Sequence, residues 1–262
     1  IMNFGDPSSS DPNISAYPGG IKYSQDIPGA GIAANNDSLI GIKIVNNYIG
    51  NGFDDGTTVH PAGIFLESGR DILIQGNTVD FDSTNLTTYP IVSVDLYGLT
   101  SQPGAVFWQD VKITGNTFRS DTTYAFAIRL VEMDGTNLSV TDNTVTGFDV
   151  AIRNYSNGWI IKRNNLSNWA TNAIQIVTGD DITIADNKIN AWKWYPSSMK
   201  TAISIDASSV RVKMLNNEFT NTVTVMSGAG VFSGNSIITD GQVAQGALIQ
   251  SISLDSIEII GN

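Results

Sequence analysis

Cysteine is absent from the 262 residues, which excludes disulfide staples and thiolate metal sites. Histidine occurs once, at His60, so no site can be assembled from several imidazoles, and a chain free of metal and cofactor is the expectation. Basic side chains are scarce: 14 Lys and Arg stand against 25 Asp and Glu, a formal net charge of −11. A chain of that sign repels phosphate backbones, so no nucleic-acid partner is expected. No apolar run approaches the roughly 20 residues needed to cross a bilayer, and no basic segment followed by an apolar one opens the chain, so a soluble chain without membrane insertion is expected. Charged residues make up only 15% of the chain against 41% hydrophobic, so a substantial core must be wrapped in a surface made mostly of Asn, Ser and Thr.

What is present in quantity is one recurring phrase, I-x-I-x-x-N-x-I. Its copies centre on Asn47, Asn77, Asn116, Asn143, Asn164, Asn187, Asn217, Asn235 and Asn262. The shortest intervals between these Asn residues are 18 to 23, too short for a propeller blade of about 40 residues and suited to one turn of a parallel β-coil. Period-two alternation sends each apolar pair inward. Asn tolerates left-handed corners, and its amide can bond the matching amide one rung away, so the ladder is read as structural. A further apolar pair precedes each phrase, for example Ile64 and Leu66, Val92 and Val94, Ile128 and Leu130, Ile174 and Ile176, Ile203 and Ile205. Each rung therefore supplies at least two short strands. The expected fold is all-β: one single-stranded, right-handed parallel β-helix over 1–262, the hand following from the preference of parallel crossovers. Residues 1–30 read as an irregular lead-in, and because the chain stops inside a repeat it is expected to be a fragment of something longer.

With these coils, the absent cysteine and the acidic, Asn-rich surface, the chain resembles the right-handed β-helix carbohydrate-active proteins of pectate-lyase type, and most of all bacteriophage tailspike polysaccharide depolymerases. The resemblance covers nearly the whole chain but includes no alignable catalytic motif, so no catalytic residue is carried over. It implies a polysaccharide partner, a homotrimer, and action outside a cell or on a virion surface.

In a solenoid the ladder residues build the fold, and rung-specific insertions are free to carry function. Extra residues fall before the first strand of a rung at Gly50–Ala62, Asp80–Pro90 and Asn190–Lys200, all at one corner; Tyr97–Ala105 lies at another. Loops piled on one corner would wall a groove along the outward face of that first strand. Alternation assigns this face an inner column of Phe65, Ser93, Arg129, Arg153, Gln175, Ser204 and Thr224. A second column holds Glu67, Asp95, Val131, Tyr155, Val177, Asp206 and Met226.

Glu67 and Asp95, on neighbouring rungs, form the candidate catalytic pair for glycoside hydrolysis, since like charges at strand spacing push one pKa up and give an acid and its partner. The competing reading is an ion network with Arg129. Arg129 and Arg153, with Tyr155 beside them, would hold the carboxylate of an acidic sugar, or support a lyase or epimerase of a uronic-acid glycan in which Arg neutralises that carboxylate and Tyr155 or another base takes the adjacent proton. Alternatively both arginines answer nearby acids. Gln175 and Asp206 are further substrate-binding candidates along the face. Trp192, Trp194 and Tyr195 offer flat rings for sugar stacking, or cover for the coil or another subunit. His60, near Asp54 and Asp55, is a possible base or a plain surface residue. A third class of function, a glycan-binding adhesin without catalysis, stays open at this point.

Overall fold

The computed structural model describes residues 19–23, 40–50, 62–66, 69–81, 91–98, 108–121, 125–131, 135–191, 201–206, 208–209, 211–220, 224–227, 230–238, 249–250 and 257–260. Among these, every regular element is a strand, and every pairing is parallel and joins one rung to the next: three sheets of nine, nine and eight strands run the length of the coil. The first sheet contains Ala62–Leu66, Ile91–Tyr97, Ala125–Val131, Val150–Tyr155, Asn172–Thr178 and Thr201–Ile205. The repeated phrase supplies the second and third, for example Trp159–Lys162 and Asn165–Trp169. Each rung is thus three strands, one more than the minimum read from the repeat. Gly19–Tyr23 pairs with Ala62–Leu66, so the stretch expected to be irregular contributes a strand to the first sheet.

The phrase folds this way because its two halves face one interior across a turn. Ile161 of the second sheet and Leu166 of the third are both fully buried in one continuous apolar cluster, with Asn164 between them at the corner. The ladder runs unbroken through Asn47, Asn77, Asn116, Asn143, Asn164, Asn187, Asn217 and Asn235. Each Oδ1 from Asn77 onward accepts both the backbone N–H and the side-chain amide of the Asn one rung earlier, at 2.8–3.0 Å. The second amide proton goes to a strand carbonyl of the preceding rung, as from Asn164 to Val140 O at 3.0 Å. The left-handed residue is not the ladder Asn itself but the one before it: Asn46, Gly76, Gly115, Asp142, Arg163, Asp186, Asn216 and Gly234. That division is physical. A left-handed residue makes the bend, and the Asn after it is free to turn inward and satisfy the backbone groups the bend exposes.

The first sheet departs from strict alternation. In Ala125–Val131, Phe126 packs in a separate outer cluster, Ala127 and Ile128 both belong to the core, Arg129 is half-buried outside, and Leu130 returns to the core. Two successive inward residues bend the six rungs from Ala62–Leu66 to Thr201–Ile205 at this point, and small residues occupy the column: Gly63, Ser93, Ala127, Ala151, Ala173 and Ala202. A Cβ on Gly63 would lie 2.9 Å from Ser93 O and 3.1 Å from Val79 Cγ1, so the bend leaves little room there.

Candidate functional site

The three insertions sit at one corner, as expected from rung lengths: they join Tyr48–Gly50 to Ala62–Leu66, Thr78–Phe81 to Ile91–Tyr97, and Lys188–Ala191 to Thr201–Ile205, always from the third sheet to the first. The outer face of the first sheet beside that corner carries an apolar patch of Ala62, Phe65, Val92, Phe126 and Val150, with Tyr97 packed against it. Burial of such residues on the outside of a coil distinguishes this face from the other two sheets, whose large outward apolar residues, such as Val45, Tyr48, Ile160 and Ile238, stand exposed.

The register of this face corrects the columns expected from alternation. Leu66 pairs with Leu96 and Phe65 with Asp95, and Asp95 pairs in turn with Arg129. The column therefore reads Phe65, Asp95, Arg129, Arg153, Gln175, Ser204, Ser227, with Asp95 where Ser93 was expected and Ser227 where Thr224 was. Tyr97 takes the position beside Val131. Val92, Val94 and Leu96 fit the inward pattern in two registers; the small-residue column decides between them, because only Ser93 among the candidates fits opposite Gly63 and Ala127.

Asp95 is fully buried and both its oxygens are held by Arg129, Nε to Oδ1 at 2.9 Å and Nη2 to Oδ2 at 2.5 Å, while the Arg129 side chain is itself only 11% exposed. This is the ion-pair arrangement that competed with catalysis in the sequence, formed between lateral neighbours. A buried, bidentate pair is costly to break from one side. Its function on this face is electrostatic: it neutralises Arg129, so Arg153 can stand one strand spacing away without facing an unpaired like charge.

Arg153 has no ion pair among the described residues. Its guanidinium carbon lies 4.9 Å from the centre of the Phe126 ring and 5.1 Å from that of Tyr155, and its Nε is buried with no hydrogen-bond partner. Two rings hold the cation in place while leaving its Nε donor unused. Gln175 follows on the next strand, half-buried. Asp206 is exposed and accepts from Ser208 N and Oγ, both at 3.2 Å, which makes it the closing residue of its own turn. Glu67, Trp192, Trp194 and Tyr195, together with His60, Asp54 and Asp55, lie outside the described residues.

Asp149, at the same corner, was not singled out by sequence reasoning. It precedes Val150, accepts a hydrogen bond from the Thr171 hydroxyl, and is within electrostatic range of Arg153. Burial pushes its pKa above the ordinary Asp value, against the lowering effects of Thr171 and Arg153. With the folded pKa above the unfolded one, the folded chain holds more protons between the two values. Stability thus falls as pH rises through that interval and stays lowered above it. Asp149→Asn is expected to melt higher than the parent near pH 7 and to converge with it below the unfolded Asp pKa of about 3.9. Melting curves across that range check this, and a constant offset at every pH would refute it. The signal missed in the sequence was position: Asp149 stands in a three-residue turn, Gly147 to Asp149, that has no insertion of its own. Among the described residues, no group of three or more His, Asp or Glu is placed to hold a metal ion.

The model of one family, described as the right-handed beta helix region, matches residues 30–244. The chain belongs to the right-handed beta-helix family. That membership fixes the hand of the coil and agrees with the three parallel sheets, and the family is compatible with proteins that act on or bind polysaccharides. No curated protein and no solved structure matches the chain. In this β-helix the candidate site lies on the outer face of the first sheet.

Proposed function

We propose that the protein binds an acidic polysaccharide along the outer face of the first sheet and depolymerises it, with Arg153 as the anchor for a sugar carboxylate. The observation that carries this reading is the Arg153 guanidinium, without an ion pair among the described residues and fixed between Phe126 and Tyr155 with a buried donor unused. A carboxylate supplies the charge and the paired acceptors that such a fork lacks. The overall charge of −11 opposes a polyanion at long range, but at physiological salt fields are screened beyond about 8 Å, so the local cation governs the contact.

The chemistry best matched to this anchor is elimination. Neutralising the carboxylate acidifies the carbon-bound proton next to it; a base removes that proton, its electron pair forms the new double bond, and the glycosidic oxygen leaves with the bond electrons and is protonated. Tyr155, stacked against Arg153, and Asp149, within its electrostatic range, are the candidate proton-handling groups. Hydrolysis through Glu67 and Asp95 remains the second enzymatic reading, and it would require Asp95 to leave Arg129.

The test is incubation with a panel of acidic and neutral bacterial polysaccharides, following reducing ends and ultraviolet absorbance together. Elimination yields new reducing ends with absorbance from the conjugated double bond. Reducing ends without absorbance, lost in Glu67→Gln and in Asp95→Asn, would replace it with hydrolysis. Binding without product would leave a glycan-binding adhesin. By the resemblance to tailspikes we also propose a homotrimer acting outside a cell or on a virion, and light scattering on the purified chain tests the assembly.

A further inference from the structure

The inward column at the end of the first sheet reads Leu66, Leu96, Leu130, Asn154, Ile176 and Ile205, all buried. Asn154 is the one polar member. It is fully buried, and its Oδ1 has no partner, although an aliphatic side chain fills the same layer on the rungs above and below. An orphaned amide oxygen in that layer works against stability, so packing of the coil does not by itself account for an amide at this position.

What the amide does is local. Its Nδ2 donates to Ser156 O at 2.7 Å and lies 3.4 Å from Thr178 O. Ser156 is the residue after Tyr155, and Thr178 stands where the register slips: Asn154 pairs with Ile176, but Tyr155 pairs with Thr178, leaving Val177 as an extra residue. A bulge of this kind re-aims the side chain beside it. Gly179 completes the device, since a Cβ there would come within 2.2 Å of the same Ser156 carbonyl. We infer that Asn154 is a positioning residue: by tying the carbonyl after Tyr155 and facing the bulge opposite it, Asn154 sets the Tyr155 ring against the Arg153 guanidinium. The geometry concerns the Arg153–Tyr155 pair itself; only its consequence for glycan affinity rests on the function proposed above.

The experiment uses the whole chain, labelled with 15N at arginine. In the parent, the Arg153 Hε resonance, assigned by its loss in Arg153→Lys, is expected to be displaced by the ring currents of Phe126 and Tyr155. Asn154→Leu, matching the aliphatic neighbours in its column, is expected to retain or raise the melting temperature, to move that resonance part-way back toward the other arginines, as Tyr155→Leu does, and to weaken binding of whichever panel polysaccharide the parent binds by several-fold. Asn154→Thr, shorter but still a donor, is expected to fall between the parent and the Leu variant. An unmoved Arg153 resonance in both variants, or a large fall in melting temperature for Asn154→Leu, overturns the inference and makes Asn154 an ordinary part of the coil. If the parent binds no glycan, the proposed function fails, while the resonance still decides the positioning role.

Discussion

Asn164→Ala is expected to lower the melting temperature by roughly 10 °C. Asn164 Oδ1 accepts Asn143 N and Nδ2, and its own Nδ2 donates to Val140 O and Asn187 Oδ1, all at 3.0 Å and all at buried groups. Truncation orphans the Asn143 backbone N–H and removes the side-chain donor from Val140 O. At about 1–3 kcal/mol per buried unsatisfied group, the loss comes to about 4 kcal/mol, each kcal/mol being about 2–4 °C for a chain of this size. Asn165, the next residue, is exposed, and Asn165→Ala is expected to stay within about 0.5 kcal/mol of the parent. Calorimetry of the two variants side by side is the measurement. Equal shifts would mean that the ladder amides contribute no more than surface amides do.

Arg153→Gln is expected to weaken binding of an acidic polysaccharide by roughly 10- to 100-fold, the range set by charge-assisted hydrogen bonds of about 1.5–3 kcal/mol. The side chain keeps a polar end and much of its length, so the loss reports the cation and its fork rather than packing. Arg153→Lys, which keeps the charge but gives up the planar donors and the stacking on Phe126 and Tyr155, is expected to fall between the two. Isothermal titration with the native polysaccharide and with the same polymer after reduction of its carboxyl groups separates charge recognition from general sugar contact. On the reduced polymer, parent and variant should bind alike. An unchanged affinity for the native polymer would remove Arg153 from the site.

The two expectations draw on different parts of the molecule, and they differ in how far the sequence reveals them. The ladder is written directly in the spacing of Asn residues, and so is the corner at which insertions gather, because both depend on counting residues around a rung. The first sheet is written less plainly. Its bend places two residues inward in succession, Ala127 and Ile128 in one rung, and period two has no room for that. Hence Asp95 was expected beside Glu67 and is found beside Phe65 and Arg129. The same limit hid Asn154, which reads as one more polar residue in an Asn-rich chain until its neighbours Leu130 and Ile176 show that it faces the core.

The sequence alone thus determined the class of fold, the ladder and the face that carries the insertions, since alternation and repeat length are properties of the chain taken one rung at a time. The tertiary structure alone decided which charges neutralise one another and which, among the described residues, stays without an ion pair. Asp95, Arg129 and Arg153 are 34 and 24 residues apart along the chain, and the bond between the first two, like the freedom of the third, follows from a lateral register that only the packing of small residues against neighbouring rungs sets.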